Sequence, residues 1–172
     1  MSKHWDVIIV GGGVAGLSAA LLLGRARRRV LVVDAGSHRN RFAAHMHGVL
    51  GQEGTDPAEL IRRGRDEVSD CDVTVRDGSV TGVVDDDLGL RVSLADGDTP
   101  TTRALIVATG LTDRLPDIPG IDAQWGTRVL HCPYCHGWEV RDRRLAVLGT
   151  SPMSLHQAEL IRQWSHHVGF LT

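Results

Sequence analysis

The chain has 172 residues, of which 42% are hydrophobic and 23% charged, and its formal net charge at pH 7 is −2. This is the composition of an ordinary globular protein, and the near-neutral charge provides no attraction to nucleic acid or to an anionic membrane. No apolar run approaches the roughly 20 residues that cross a bilayer, and the N-terminal apolar stretch is too short for a signal peptide. We therefore predict a cytoplasmic protein without a nucleic-acid or membrane partner.

The N-terminal region has the pattern of a strand, a tight turn, a helix and a second strand. In the predicted strand 6–10, the residues after Asp6 are continuously apolar and stand before three glycines, which is typical of a parallel strand buried on both faces. A helix is predicted over 14–27 and a second buried strand over 30–34. The small residues expected on the side of the helix that approaches the sheet are Ala15, Gly16, Ser18, Ala19 and Ala20.

A capped helix and several short strands follow. Asp56 can cap a helix and Pro57 suits its first position, so a helix is predicted to run to about Ser69. Between 73 and 108 the apolar residues alternate and are separated by glycines or Asp-Gly pairs, which indicates a small antiparallel meander. Residues 104–108 are again continuously apolar and are predicted to form a buried strand.

A Pro-rich linker at 115–120 is predicted to separate two lobes. The second lobe is predicted to contain two strands and a helix, at 145–148, 168–171 and 153–164. The sequence therefore predicts an α/β protein: a Rossmann-like lobe over 1–115, with a parallel sheet and an antiparallel meander, and the start of a second Rossmann-like lobe over 116–172. A lobe of this second size is marginal alone, so we expect the chain to be the front part of a larger protein.

The glycine turn between the first strand and helix is the first motif that carries chemistry. In Gly11-x-Gly13-x-x-Gly16, the first glycine permits the tight turn, the second lets a pyrophosphate approach the backbone, and the third lets the helix pack on the strand. Asp34 ends the second strand, where an acid accepts the ribose hydroxyls of a dinucleotide. These features favour a dinucleotide site over a merely structural glycine-rich turn.

The second motif is a pair of cysteines, Cys132 and Cys135, flanked by His131 and His136. Such a pair can cycle between dithiol and disulfide through thiolate attack, and imidazoles can hold or supply the proton. The same four side chains are of the types that bind zinc, but adjacent residues rarely converge on one tetrahedral ion. A purely structural cysteine pair is the third interpretation. We favour a redox pair without a metal, and expect the isolated Cys71 to be an inert thiol.

A second strand-to-helix turn begins at Gly149, where a nicotinamide nucleotide would bind in a second Rossmann-like lobe. Only its first glycine is present, because Ser151 and Ser154 occupy positions where glycine or alanine is expected, and Pro152 removes a backbone donor. The sequence leaves a structural turn and a nucleotide site open.

Together these motifs resemble the low-molecular-weight thioredoxin reductases, which are FAD-dependent pyridine nucleotide-disulfide oxidoreductases. The resemblance rests on GGGVAG at 11–16, VATG at 107–110, the Pro-Gly linker and the CxxC pair. Within that family, the regions at 40–42 and 45–48 and the CPYCHGWE segment at 132–139 look like the branch that includes dithiol oxidases of disulfide natural products.

The resemblance implies a role for individual residues. Cys135 would face the isoalloxazine and Cys132 would exchange with the substrate thiol. His136 replaces the aspartate that follows the second cysteine in thioredoxin reductases, which suggests an imidazole acid/base as the third catalytic residue. The implied cofactor-binding residues are Gly11, Gly13, Gly16, Asp34, Ala35, Asn40, Arg41, Thr109 and Gly110.

These expectations define three classes of function. The first is an FAD-dependent thiol/disulfide oxidoreductase that acts on a small dithiol or a thioredoxin-like protein. Its candidate electron donor is NAD(P)H; alternatively, the enzyme is a dithiol oxidase in which oxygen is the electron acceptor. The second is an inactive, truncated FAD-binding fragment, and the third is a zinc-binding module. The resemblance also implies a homodimer for the full-length protein.

Overall fold

The computed structural model describes residues 4–87 and 89–172. They form two compact units, one containing residues 4–41 and 57–112 and the other Phe42–Asp56 and Asp113–Thr172. The segment Phe42–Asp56 thus belongs by its contacts to the second unit. The division into lobes at 115/116 remains a prediction.

A six-stranded sheet forms the centre of the first unit. Its strands are β1 (His4–Val10), β2 (Val30–Asp34), β3 (Thr74–Asp77), β4 (Val80–Asp86), β5 (Gly89–Leu94) and β6 (Thr101–Val107). They lie in the order β3-β2-β1-β6-β5-β4, in which the first four are parallel and the last two antiparallel. This arrangement confirms the predicted α/β Rossmann-like fold with a parallel and an antiparallel part.

The core of this unit lies on both faces of the sheet. Ile8 and Ile9 are both fully buried, because successive side chains of a strand point to opposite faces. Ile9 packs with Val32 in the cluster that includes the helix residue Leu17, whereas Ile8 belongs to the cluster that includes Val92. Burial on both faces explains why the second half of β1, residues 7–10, is an uninterrupted apolar run.

Two helices pack in the first unit, α1 (Val14–Arg25) and α2 (Pro57–Ser69). Gly16 and Ala20 of α1 are buried as predicted, but Ala15 and Ser18 are exposed, so their assignment to the sheet-facing side was wrong. The helix also ends before the predicted residue 27, because Arg27 adopts a left-handed conformation with φ 58° that terminates the helix.

The predicted meander is only partly correct. β4 and β5 form an antiparallel hairpin and β5 pairs antiparallel with β6, but β3 pairs parallel with β2. The connection through α2 returns the chain to the same edge in the same direction, and a parallel pair requires such a crossover. The predicted full burial of 104–108 is also wrong: Ala104 is exposed and Val107 is 70% exposed.

The second unit contains α3 (Ile121–Gln124), α4 (Pro133–His136), β7 (Leu145–Leu148), α5 (Met153–Ile161) and β8 (Val168–Leu171). β7 and β8 have the predicted bounds and pair in parallel, with Leu145 opposite Val168. α5 ends three residues before the predicted residue 164. Among the described residues, no helix has the length and apolarity that a membrane crossing requires.

Candidate functional site

The glycine turn is packed tightly at three positions and open at one. Gly11 has a φ of +108°, and a side chain there would also clash with the carbonyl of Ala108. A Cβ on Gly16 would clash with the carbonyl oxygen of Gly11, and one on Gly12 would lie 2.6 Å from the Asp34 carboxyl carbon. Gly13 has no atom within 4 Å of its Cβ position. The backbone at Gly13 is therefore accessible to a ligand.

Asp34 lies directly behind this turn and is held by Arg65. Its side chain is buried, accepts a 2.6 Å hydrogen bond from Arg65 Nη2 and accepts another from the backbone N–H of Gly36 at 3.2 Å. Burial alone would raise the pKa of Asp34, but Arg65 and the backbone N–H groups of Gly36 and Gly12 outweigh it and hold that pKa below its usual value. Asp34 therefore remains ionised, and a carboxylate has lone pairs left for a ribose hydroxyl.

The other predicted cofactor residues lie at three places in the first unit. Thr109 and Gly110 follow β6, whose end approaches Gly11 closely: a Cβ on Gly11 would lie 3.2 Å from the Thr109 Cα. Ala35 follows β2 and is exposed. The exposed residues Asn40 and Arg41 belong to a surface turn, in which Arg41 Nη1 donates to the His38 carbonyl at 2.9 Å. The roles of these residues remain predictions.

The turn fits the pyrophosphate of a dinucleotide such as FAD. The N-cap residue Gly13 provides no side-chain cap, and the first turn of α1 contains no acidic residue. The N-terminal N–H groups and the positive end of the helix dipole are thus available to an anion. The residues that would hold the ADP half are Gly11, Gly13, Gly16 and Asp34.

The cysteine pair is placed on a single helical turn of the second unit. Cys132 is the N-cap of α4, and its carbonyl accepts hydrogen bonds from the N–H groups of Cys135 and His136, both at 3.2 Å. Residues three apart are neighbours on a helical turn, so Cys132 and Cys135 lie at the two ends of the same turn. Both cysteines are half-buried thiols in this structure.

Trp164 anchors this turn. The ring of Tyr134, between the two cysteines, packs edge-on against Trp164 with a centroid separation of 5.3 Å. Gly137 follows α4, and a Cβ there would lie 2.8 Å from the Trp164 ring. The Trp164 carbonyl accepts a 2.8 Å hydrogen bond from the Asp142 N–H. The sequence indicated Trp164 only as a residue at the end of a helix.

A cluster of ionisable side chains surrounds His136. The His47 and His136 rings are perpendicular, with centroids 6.2 Å apart. His47 Nδ1 lies 2.7 Å from Glu53 Oε1, and His47 Nε2 lies 3.6 Å from Glu139 Oε1. His47 and Glu139 lie in the segments 45–48 and 132–139 that carry the family resemblance, but the sequence indicates no role for either residue, and nothing in it points to Glu53.

This cluster sets the charge of His136. Burial lowers the pKa of His136, the positive charge that His47 can carry lowers it further, and Glu139 raises it in part. The hydrogen bonds from His47 and from the Gly48 N–H hold the pKa of Glu53 below its usual value. At neutral pH His136 is therefore an uncharged imidazole that can accept a proton.

The zinc arrangement suggested by the sequence is not formed in the described part of the chain. His131 is exposed, and the group of side chains spaced to share an ion consists of His47, His136 and Glu139, with donor atoms within 4.8 Å of one another and no cysteine. Among the described residues, every buried side-chain nitrogen and oxygen has a hydrogen-bond partner. Within this group, His47 is held by its 2.7 Å contact with Glu53 and lies 3.6 Å from Glu139.

The turn after Gly149 is closed by its own helix. Ser154 Oγ accepts hydrogen bonds from the N–H groups of Thr150 at 3.1 Å and of Ser151 at 3.2 Å. A bound pyrophosphate would need such N–H groups as donors. Of the two interpretations left open by the sequence, this geometry favours the structural turn.

Comparison with known proteins places these features in a family. The family described as pyridine nucleotide-disulphide oxidoreductase matches residues 5–171. A probable thioredoxin reductase of Arthroderma benhamiae is 36% identical over 153 residues, covering 85% of this chain and 38% of that protein. Thioredoxin reductase tcpT of Claviceps purpurea is 36% identical over 162 residues, covering 89% of this chain and 50% of that protein.

Solved structures agree with this assignment. The crystal structure of HlmI has a TM-score of 0.95 and 46% identity, covering 99% of this chain and 55% of that chain. An oxidoreductase from Agrobacterium tumefaciens has a TM-score of 0.93 and 44% identity, covering 98% of this chain and 57% of that chain. The chain spans about half the length of the curated relatives it matches. These matches confirm the thioredoxin reductase-like resemblance, and family membership implies flavin binding. With its glycine turn, its CxxC turn and a match over nearly its whole length, the chain belongs to the pyridine nucleotide-disulphide oxidoreductase family.

Proposed function

We propose that this chain carries the dinucleotide turn and the redox-active cysteines of an FAD-dependent, thioredoxin reductase-like thiol/disulfide oxidoreductase. The observation that carries the proposal is the anchored turn in which Cys132 and Cys135 lie one helical turn apart beside the uncharged imidazole of His136. Thiol/disulfide exchange needs these groups: two sulfurs that can pair and a base that can take a thiol proton.

In the oxidative direction, the cysteine pair oxidises a dithiol substrate through two successive thiolate attacks. A thiolate of a dithiol substrate attacks Cys132 of the Cys132–Cys135 disulfide, which forms a mixed disulfide and releases Cys135 as a thiolate. The second substrate sulfur attacks its partner sulfur in the mixed disulfide, so the substrate leaves as a disulfide and Cys132 is released. Two electrons and two protons pass from the substrate to the cysteine pair. His136 accepts a thiol proton and returns it to a departing sulfur.

The dinucleotide turn would serve the reoxidation of this pair. We propose that Gly11, Gly13, Gly16 and Asp34 hold the ADP half of FAD, on the strength of the open backbone at Gly13 and the uncapped helix N-terminus. When bound, FAD supplies the two-electron redox chemistry that changes the oxidation state of the cysteines. The family resemblance suggests that Cys135 faces the flavin and that the protein acts as a homodimer, and the sequence predicts a cytoplasmic location.

A dithiol oxidase that passes electrons to oxygen is the second candidate, and one observation favours it over an NAD(P)H-dependent reductase. The N–H groups of Thr150 and Ser151 donate to Ser154 Oγ, so they are not available to hydrogen-bond a nicotinamide nucleotide. The substrate would then be a small dithiol, with the dithiol oxidised to a disulfide and oxygen reduced to hydrogen peroxide. A thioredoxin-like protein is the alternative substrate in a reductase.

The test uses the purified protein after incubation with FAD and desalting. Bleaching of the flavin band by dithiothreitol, with oxygen consumption, is expected for the oxidase, and bleaching by NADPH for the reductase. Cys132→Ser and Cys135→Ser should each abolish thiol turnover, whereas Cys71→Ser, which alters a half-buried thiol of the first unit, should not. Turnover retained in either active-site variant would contradict the proposal. A folded protein that retains no flavin would support the inactive-fragment alternative.

A further inference from the structure

The loop 42–56 contributes a second imidazole to the cysteine site. We propose that the Glu53–His47 pair is a positioning element that holds His47 against His136 and thereby controls when His136 takes up a proton. The inference rests on the proposed thiol/disulfide function, because it assigns the pair a task in the proton transfer that accompanies exchange.

Glu53 fixes both the place and the tautomer of His47. Its Oε1 lies 2.7 Å from His47 Nδ1 and its Oε2 accepts a 2.8 Å hydrogen bond from the Gly48 N–H. An ionised carboxylate only accepts hydrogen bonds, so Nδ1 of His47 must carry a proton. Nε2 of His47 is consequently the nitrogen that faces Glu139. The His47 side chain is only 18% exposed, whereas that of Glu53 is 65% exposed, so the carboxylate supports the imidazole from the solvent side.

The two imidazoles and Glu139 form one coupled group. Two imidazolium ions whose rings are 6.2 Å apart repel each other, so a proton on His47 disfavours a proton on His136. Glu139 acts in the opposite sense, because its negative charge stabilises an imidazolium on His136. Glu53 holds the His47 ring in place through the 2.7 Å contact at Nδ1. The other ionisable groups on the turn of His136 itself are Cys132, Tyr134 and Cys135.

This arrangement suits a base that must accept a proton and then release it. At rest, His136 is uncharged, chiefly because it is buried, and is ready to accept the proton of a substrate thiol. Once His136 is protonated, Glu139 stabilises the charge while His47 opposes it, so the proton is passed readily to the departing sulfur. A lone histidine beside the cysteines would lack this opposition.

The experiment is an NMR titration of the histidine imidazole signals in the FAD-loaded, oxidised protein with a metal chelator present. The His136 signal is assigned by its loss in His136→Gln. In His47→Asn, which retains a donor toward Glu53 but does not titrate, the His136 midpoint should rise by about half a pH unit because a like charge is lost. In Glu139→Gln it should fall by a similar amount, because an opposite charge is lost.

The controls separate charge from loop structure. Glu53→Gln should also raise the His136 midpoint, because an amide holds His47 less firmly against His136 than the carboxylate does. His45→Ala alters an exposed histidine of the same loop that bonds the Gly54 carbonyl, and it should leave the His136 midpoint unchanged. A purely structural role of His47 would not move the His47→Asn and Glu139→Gln midpoints in opposite directions. Unchanged midpoints, or shifts of the same sign in these two variants, would overturn the proposal.

The titration also distinguishes this inference from the proposed function. Opposite shifts in a protein that does not turn over dithiols would uphold the coupled histidines and refute the thiol/disulfide activity. Turnover with an acid limb of the pH profile that follows the NMR midpoints would support both. Turnover with no shift in His47→Asn would uphold the activity and overturn the role of the Glu53–His47 pair.

Discussion

Replacing single glycines of the first turn should separate folding from cofactor binding. Gly13 has a φ of −74°, which any residue adopts, and open space at its Cβ position. Gly13→Ala should therefore change the free energy of unfolding by less than about 1 kcal/mol, because the smaller entropy of the unfolded chain favours folding and the poorer N-cap propensity of alanine opposes it. The added methyl group would occupy the space into which we propose that the pyrophosphate fits, so FAD affinity should fall at least about tenfold, or about 1.4 kcal/mol.

Gly16→Ala should have the opposite pattern. Its Cβ would clash with the backbone oxygen of Gly11 and would lie 3.4 Å from the Ile9 side chain, and a backbone oxygen cannot rotate away as a side chain can. Overpacking of this kind costs about 1–3 kcal/mol, from which about 1 kcal/mol of improved helix propensity is subtracted. We expect a net loss of up to about 2 kcal/mol in the free energy of unfolding.

Two assays measure the two effects independently. Urea unfolding of the FAD-free protein, followed by circular dichroism, measures stability, and titration of flavin fluorescence measures FAD affinity. Wild-type FAD affinity in Gly13→Ala would refute the assignment of Gly13 to the pyrophosphate. Equal stability losses in Gly13→Ala and Gly16→Ala would refute the distinction between an open and a packed position.

Two further predictions concern the supports of the two sites. Arg65→Met removes the cation from the buried Asp34 carboxylate and should reduce the free energy of unfolding at neutral pH by about 1–3 kcal/mol, less than for a fully buried pair because Arg65 is a third exposed. Arg65 holds the folded-state pKa of Asp34 below its unfolded value, so the stabilisation from this ion pair is present above the unfolded pKa and is lost on acidification. The difference in the free energy of unfolding between wild type and variant, measured by urea unfolding, should therefore shrink towards about pH 3. A difference that stays constant with pH would contradict this. Trp164→Ala removes the ring against which Tyr134 and Gly137 pack, and it should lower the free energy of unfolding by about 2–3 kcal/mol, as expected for a half-buried aromatic ring. Dithiol turnover should fall more in Trp164→Ala than in Trp164→Phe. Equal turnover in the two variants would contradict the anchoring role of Trp164.

Local patterns determined the elements of this protein. The bounds of β2, β7 and β8 follow from short apolar runs, and the α1 turn follows from glycines whose need is local. The CxxC spacing likewise predicted that Cys132 and Cys135 act as a pair, because two residues separate them. Such features depend on neighbours within a few residues, so the sequence alone predicts them.

The tertiary structure decided which elements and side chains meet. The alternation at 73–77 predicts a strand, but its parallel pairing with β2 depends on the path of the chain through α2. The capping of the Gly149 turn depends on the hydroxyl of Ser154. From the sequence alone, Ser154 is only a departure from the glycine or alanine expected at its position. In the same way, His47 and Glu53 precede Glu139 by more than eighty residues, and only the folded position of the loop 42–56 brings them to His136. The sequence gives the chemistry of each side chain, but the contacts that set a pKa depend on distances in space, which only the folded chain defines.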